Sequence, residues 1–338
     1  MLSTTDKLAG IDPDHAAAIA QAGGQIKALD PIGAEVSGLD LAATEALPPD
    51  AVTALEREMA RRGFLVFKNA QELDPEDFLR ASCLWGGKEL HSTHGVHPET
   101  PGGNRHIFRL SNDRRHGIPD VGPQWHNDGS FLPATFSHSG YHIIRPAERG
   151  GGTHFAHQGL AFKALSEPQQ ARWSRMASVN SASGVVHPLV HTHPVSGQRC
   201  IWLHLGMTGA VIEKLPDSDG VRLLTADELT RLCHDYNDIL NAGLTRGYAV
   251  AFEYSQNDCV FIDNLAVAHR AAPEAHMPVE DQGLRIMHRS TVKGVQDLAP
   301  GFDLPQHVNI DGPNPSADGV WQGGGVGFRW DDSIPMRN

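Results

Sequence analysis

The stretch FSHSGYHIIR, residues 136–145, decides the fold class because it opens a series of short strand-like segments. Similar segments, each bounded by turn residues, follow it along the chain: GTHFAH (152–157), CIWLHL (200–205), YAVAFEY (248–254) and CVFID (259–263). Many short strands with Gly- and Pro-containing turns are typical of a β-sandwich or barrel. We therefore predict a mainly β protein.

Helical patterns flank and interrupt these strands. An amphipathic pattern covers 47–63, a second helix begins at 74–77, and further helices are expected at 158–176 and 225–241. The last of them starts with Thr-Ala-Asp-Glu, a capping box. We expect these helices to pack outside the β core.

Both ends of the chain differ in composition from the middle. Residues 1–24 are rich in Ala, Gly and Asp, which indicates a loose leader or a short helix. Residues 295–338 form a C-terminal extension rich in Gly, Pro and Asp, and its aromatic residues suggest docking onto the body. Phe328, Arg329 and Trp330 are expected to clasp the body or to reach the active site. We predict a single domain over 1–338.

Composition excludes several classes of function. The chain has 338 residues, with 28 Lys and Arg against 40 Asp and Glu, so its formal net charge is −12. That charge disfavours nucleic acid and anionic membranes as partners. The sequence lacks both an apolar run long enough to span a bilayer and a secretory signal pattern. Its 4 cysteines form no CxxC pair, so reduced thiols and a cytoplasmic location are expected.

Histidine is over-represented, with 20 residues, which prompts a search for metal-ligand spacing. The sharpest feature is WHND at 125–128, since His126 and Asp128 would point to the same side of a strand. His269 follows the predicted strand 259–263. These three side chains would form the two-His-one-carboxylate set of non-haem Fe(II) oxygenases. A lone His-x-Asp, however, is more often a hydrogen-bonded pair.

Two further motifs could bind carboxylates and are considered together with the metal motif. In Gly150-Gly151-Gly152-Thr153 the glycines allow close backbone approach and the Thr hydroxyl can bind a carboxylate. Taken alone, such a run is more often a plain turn. Arg285 and Arg289 in RIMHR would share a strand face and could bind two carboxylates. Surface ion pairs are the simpler interpretation of those arginines.

The order of these motifs resembles the TauD/TfdA family of Fe(II)- and 2-oxoglutarate-dependent dioxygenases. The resemblance covers much of the chain, through IGAEVSGLDL (32–41), HPLVHTHPVSG (187–197), QND (256–258) with DN (263–264), and RIMHR (285–289). It implies a double-stranded β-helix, or jelly-roll, core with flanking helices. It also implies Fe(II), 2-oxoglutarate and O2 as cofactors, a small-molecule substrate and a symmetric homo-oligomer.

The resemblance also implies roles for individual residues. His126, Asp128 and His269 would be the iron ligands. Thr153 and Arg285 would hold the distal carboxylate of 2-oxoglutarate. Arg289 would lie near an anionic group of the substrate, and His91, chosen from His91, His94 and His97, would contact the substrate.

The expected activity is oxygenation of a C–H bond in a small anionic or amino-acid-like substrate, with release of succinate and CO2. Hydroxylation is the default outcome, while desaturation or cyclisation remains open. Two alternatives stand beside it: a cupin-like metal enzyme that does not use 2-oxoglutarate, and a non-catalytic metal- or small-molecule-binding module. The anchors at Thr153 and Arg285 argue against the first, and a structural Zn site would need four ligands.

Overall fold

The computed structural model describes residues 8–68, 73–93, 95–119, 121–216 and 220–298. The helices of these ranges are α1 (Pro13–Gln21), α2 (Pro49–Arg62), α3 (Pro75–Ser82), α4 (Gln158–Ala164), α5 (Glu167–Trp173), α6 (Ala226–Arg246) and α7 (Val279–Gln282). The strands are β1 (Gln25–Ala28), β2 (Ala34–Ser37), β3 (Phe64–Phe67), β4 (Phe108–Ser111), β5 (His138–Arg145), β6 (Thr153–His157), β7 (Met176–Asn180), β8 (Val186–Pro188), β9 (Val190–Thr192), β10 (Arg199–Ile201), β11 (Thr208–Lys214), β12 (Val221–Leu223), β13 (Ala249–Phe252), β14 (Cys259–Asp263), β15 (Val267–Ala271) and β16 (Ile286–Val292).

Two sheets form the core that carries the site. A seven-stranded sheet has the order β1-β2-β3-β14-β5-β16-β4, and a three-stranded sheet has the order β13-β6-β15. Side chains from both sheets meet in one hydrophobic cluster, which includes Phe64 and Ile143 from the first and Phe155 and Val267 from the second. This is a jelly-roll core with flanking helices, so the predicted fold class is confirmed.

Strand β14 is buried along its whole length because both faces of the large sheet are covered. The three-stranded sheet covers one face. On the other, side chains of α1 to α3 pack in a second hydrophobic cluster with Leu65 and Phe261. This burial on two sides explains why CVFID is a continuous apolar run rather than an alternating one. Within the described ranges, no helix is both long enough and apolar enough to cross a membrane.

Most predicted helices are found close to their expected bounds. The pattern at 47–63 becomes α2, and Thr225 with Glu228 forms the predicted capping box of α6. The pattern at 158–176 is two helices rather than one, because Ser166 starts α5 with its own capping box. In the N-terminal segment the structure shows the short helix, α1, with Ile19 fully buried, rather than a loose leader. Phe328, Arg329 and Trp330 lie outside the described residues.

Much of the histidine excess is in the interior. In the described part of the chain, 11 histidines are buried, and only two of them belong to the predicted metal motif. Burial lowers the pKa of His142, His157, His187 and His191 to about 4. Neither ring nitrogen of His191 has a hydrogen-bond partner among the residues that the structure describes. The folded chain therefore holds these imidazoles neutral, whereas the unfolded chain protonates them below about pH 6.5.

This difference predicts acid sensitivity. Because the unfolded chain binds more protons between pH 6.5 and about 4, stability falls as pH falls through that window. His191→Leu removes one such site, so its loss of unfolding free energy between pH 7.5 and pH 5 should be about 2 kcal/mol smaller than that of the wild type. Urea denaturation at both pH values measures this. His97→Asn, in a surface loop, is the control, and equal losses in all three proteins would contradict the expectation.

Candidate active site

His126 and His269 face each other across a short antiparallel bridge. Each backbone N–H donates to the carbonyl of the other residue at 3.0 Å. His269 lies inside β15 and not just past a strand end, because the chain reverses after β14 and β15 begins at Val267. Asp128 lies in the turn that follows His126, and not on a strand as the spacing suggested. The predicted ligands nevertheless come together, with one ligand atom from each of the three within 4.8 Å of the others.

The donor set fits a metal ion. Both ring nitrogens of His269 are buried and have no hydrogen-bond partner in the part of the chain that the structure describes. Nδ1 of His126 lies 2.7 Å from the carbonyl of Gln124, to which it can donate, so that Nε2 keeps its lone pair. The two Nε2 atoms lie 3.9 and 3.8 Å from the carboxylate of Asp128, and Ser139 donates to that carboxylate at 3.0 Å. Buried, unpartnered nitrogens beside a carboxylate are what a two-His-one-carboxylate metal site requires.

The protonation states are also those of metal ligands. Burial lowers the pKa of His126, and it lowers that of His269 to about 3, so both imidazoles are neutral at pH 7. Burial by itself would raise the pKa of Asp128, but the positive charge of Arg289 and the hydrogen bond from Ser139 favour the ionised carboxylate and outweigh it. The pKa of Asp128 is therefore well below its usual range, and its carboxylate is ionised.

A buried amide network joins the two chain segments that supply these ligands. Asn127 and Gln158 donate to each other's side-chain oxygens at 3.0 and 2.7 Å, and Asn127 also donates to the carbonyl of Asn264 at 2.6 Å. The side chain of Asn264 accepts from the N–H of Asp128 and donates to its carbonyl, both at 2.8 Å. All three amide side chains are 0% exposed. The network therefore fixes the turn carrying Asp128 against the segment that leads to His269.

A cavity of about 50 Å³ opens beside the two histidines. It brings together most of the predicted site residues: His126, His269, Thr153, Arg285 and Arg289. The residues that complete its lining include Tyr141 and Met287. Both predicted histidine ligands and both predicted anion-binding motifs thus border one space.

Arg285 reaches this cavity past the glycine run. Its Nη1 donates to the carbonyl of Gly151 at 3.1 Å. Gly151 has a φ of +80°, and a Cβ there would stand 2.7 Å from the Cβ of Ala147 and 3.3 Å from the Cδ of Arg285. The close approach predicted for the glycine backbone is therefore made to the side chain of Arg285. Thr153 begins β6 on the same cavity wall.

Arg289 contacts the predicted ligand Asp128. Its Nη1 lies 3.3 Å from Oδ1 of Asp128, and its guanidinium stacks 4.9 Å from the ring centre of Phe108. From the sequence, a surface ion pair was the simpler interpretation of Arg289. The structure does show an ion pair, but its acidic partner is the carboxylate of the predicted metal motif. The Nε of Arg289 is buried and has no hydrogen-bond partner within the described ranges.

His91 and His97 are not among the residues that line this cavity. His91 lies against the rings of Phe136 and Phe131, at 4.7 and 6.0 Å between ring centres. His97 contacts the carbonyl of Arg114 at 3.1 Å. His94 lies outside the described residues. A substrate contact by His91 therefore stays a prediction.

Sequence reasoning missed the amide network and Ser139. Asn127 lies between two predicted ligands in the sequence, and side chains alternate along an extended chain, so its side chain was expected to point away from theirs. Gln158 and Ser139 carried no local signal, since each follows or lies within an ordinary strand pattern. Only the fold brings them to the site.

A jelly-roll core with a buried two-His-one-carboxylate set defines the class of mononuclear non-haem iron oxygenases. Residues 25–291 match the family described as "Taurine catabolism dioxygenase TauD, TfdA family". The chain belongs to this family and is a dioxygenase.

Three known proteins illustrate the similarity. An alpha-ketoglutarate-dependent sulfonate dioxygenase of Saccharomyces cerevisiae is 23% identical over 299 residues, covering 81% of this chain and 68% of the relative. An alpha-ketoglutarate-dependent sulfate ester dioxygenase of Pseudomonas putida is 24% identical over 292 residues, covering 78% and 87%. A crystal structure of a taurine dioxygenase from Burkholderia xenovorans superposes with a TM-score of 0.67 at 21% identity, covering 88% and 98%, and shows a shared fold.

These findings confirm the family and the enzyme class predicted from the sequence. Dioxygenases that depend on alpha-ketoglutarate, which is 2-oxoglutarate, use Fe(II), the 2-oxo acid and O2. The His-Asp-His set of this chain agrees with that cofactor set.

Asn264→Ala should destabilise the fold and weaken metal binding together. It leaves the buried N–H of Asp128 and the carbonyl of Phe136 without this partner, while the carbonyl of Asp128 keeps the hydroxyl of Thr135. Each of the two losses costs about 1–3 kcal/mol, so we expect a loss of about 2–6 kcal/mol. Urea denaturation and Mn(II) titration measure the two effects. Asn104→Ala, whose side chain contacts exposed Glu76, should lose about 1 kcal/mol and keep its Mn(II) affinity; the same affinity in Asn264→Ala would contradict our interpretation.

Proposed function

We propose that this protein is a 2-oxoglutarate-dependent dioxygenase that oxygenates a C–H bond of a small anionic substrate and releases succinate and CO2. The observation that carries the proposal is the buried set of His126, Asp128 and His269, whose ligand atoms lie within 4.8 Å of one another. Thr153 and Arg285 border the same cavity. We further propose a cytoplasmic enzyme, consistent with its 4 free cysteines.

His126, Asp128 and His269 would hold Fe(II), which supplies the activation of O2 when it is bound. Three protein ligands leave coordination positions open for a chelating 2-oxo acid and O2. The protein's own contribution is to place the reactants. Arg285 and Thr153 would bind the distal carboxylate of 2-oxoglutarate, and the buried walls of the cavity would exclude water.

Arg289 supports an anionic substrate. A cation bound to Asp128 would neutralise the carboxylate that now holds Arg289, and the guanidinium would then favour another anion. The two named relatives act on sulfonates and sulfate esters, and both groups are anionic. We therefore propose a sulfonate, sulfate ester or carboxylate substrate. Hydroxylation is the default outcome, and desaturation or cyclisation would use the same binding residues.

Neither alternative accounts for the cavity as well. A cupin-like enzyme without 2-oxoglutarate needs no second anchor, yet Thr153 and Arg285 both face the space beside the metal motif. A structural metal module would favour four ligands, and the candidate group among the described residues has three.

The first test is Fe(II)-dependent conversion of 2-oxoglutarate to succinate. Asp128→Ala removes the carboxylate ligand, so Mn(II) affinity should fall at least tenfold and succinate formation should stop. Asp281→Ala, an exposed carboxylate remote from the cavity, is the control and should behave as the wild type. Full activity and undiminished metal affinity in Asp128→Ala would rule out this ligand set.

The second test addresses the substrate. Hexyl sulfonate, hexyl sulfate and hexanoate are compared with hexanol for stimulation of succinate release by the wild type. Arg289→Gln should raise the Michaelis constant of the effective anion by a factor of about thirty or more, because losing a charged partner costs about 2–5 kcal/mol. Succinate release uncoupled from substrate should persist. Arg105→Gln, at an exposed position, is the control. A preference for hexanol, or a wild-type Michaelis constant in Arg289→Gln, would refute the anionic substrate.

A further inference from the structure

Tyr254 lies beside the predicted carboxylate anchors, although neither the metal motif nor the arginine motif includes it. Strand β13 pairs with β6 so that Phe252 stands opposite Thr153. Alternation along an extended chain places Tyr254 on the same side as Phe252, and the two rings lie 5.5 Å apart. The Tyr254 side chain therefore lies on the face of the small sheet that carries Thr153.

The Tyr254 hydroxyl is a buried donor without an acceptor. The residue as a whole is partly buried, but its hydroxyl oxygen is shielded from solvent and makes no hydrogen bond to a described residue, although the Thr153 side chain is near enough to oppose the effect of burial on its pKa. Buried hydroxyls are nearly always hydrogen-bonded, so an orphaned one points to a missing partner. Tyr254, Gly151, Arg285 and Met287 border a small void of about 10 Å³.

The neighbours of this hydroxyl are donors too. Arg285 forms no ion pair with any carboxylate in the described ranges, and its guanidinium donates to the carbonyl of Gly151. Burial lowers the pKa of Arg285, and Tyr254 opposes that change. Burial also raises the pKa of Tyr254, so its hydroxyl stays protonated and able to donate at neutral pH. A cation and an unpartnered hydroxyl thus converge, with no anion to receive them.

The void adjoins the metal cavity, because the two spaces share lining residues. Arg285 and Met287 line both spaces, and Thr153 lines the larger one. A dicarboxylate that chelates the metal at one end would extend its other end toward Arg285. A carboxylate has two oxygens and about four acceptor sites, enough for a guanidinium and two hydroxyls.

We propose that Tyr254 is a 2-oxoglutarate-binding residue, whose hydroxyl donates to the distal carboxylate together with Thr153 and Arg285. This inference rests on the proposed function and adds a residue to it. Tyr254 would discriminate between 2-oxo acids by the presence of the second carboxylate, and it would leave metal binding unchanged.

The test measures binding rather than turnover. Calorimetric titration of the Mn(II)-loaded enzyme compares 2-oxoglutarate with 2-oxopentanoate, which has the same carbon skeleton without the second carboxylate. Tyr254→Phe keeps the ring and removes the hydroxyl. It should weaken 2-oxoglutarate binding by roughly tenfold to a hundredfold, the range for a hydrogen bond to a charged group. Binding of 2-oxopentanoate and of Mn(II) should change less than about twofold.

Tyr248→Phe is the matched control. Its hydroxyl donates to the carbonyl of Ile239 at 2.6 Å, away from the cavity, so this variant should bind 2-oxoglutarate as the wild type does. Unchanged 2-oxoglutarate affinity in Tyr254→Phe, or an equal loss for both acids, would overturn the role of Tyr254 alone. Failure of the Mn(II)-loaded wild type to bind 2-oxoglutarate would instead overturn the proposed function, and this inference with it.

Discussion

The hydrogen bonds among Asn127, Gln158 and Asn264 are the constraint on which the active site depends. The ligands His126 and Asp128 are distant in sequence from His269, and a metal alone would have to draw their segments together. The amide network joins them by protein contacts, with every participating side chain fully buried. Buried amides tolerate few alternative arrangements, since a displaced partner leaves polar groups without water or protein. The ligand geometry is therefore formed before any metal arrives.

The charged side chains around the metal motif indicate which reactants the site favours. Asp128 is the one carboxylate of the candidate metal group, and it faces Arg289 as well as two neutral imidazoles. Adding a divalent cation leaves the cavity with more positive than negative charge, because Arg285 also borders it. An excess of positive charge favours anionic reactants, and we propose that Arg285 and Arg289 bind one each. The jelly-roll places these arginines on and beside a single strand, β16.

The sequence predicted much of this architecture because short strands, turn residues and helix caps are local signals. The metal motif was predictable for the same reason, since His126 and Asp128 are neighbours and His269 follows a clear strand. Contacts between residues that are distant in sequence could not be predicted in this way. The ion pair of Arg289 with Asp128 and the unpartnered hydroxyl of Tyr254 both depend on how two sheets meet. The position of His269 inside β15 was missed because only a tight turn separates β14 from β15, and the sequence of the two strands resembles a single strand followed by a loop.

The two arginines of β16 carry a consequence for how this enzyme could acquire new substrates. Arg289 touches the carboxylate of the metal motif, and Arg285 immediately precedes the strand, beside a register shift between Ile286 and Met287. Changing either one disturbs the charge or the shape of the catalytic centre. Leu110, Ile118 and Val121 border the same cavity and make no contact with the metal ligands in any hydrogen bond or ion pair described above. Substitutions in this apolar wall would therefore change the shape of the cavity without removing a charge or a predicted metal ligand.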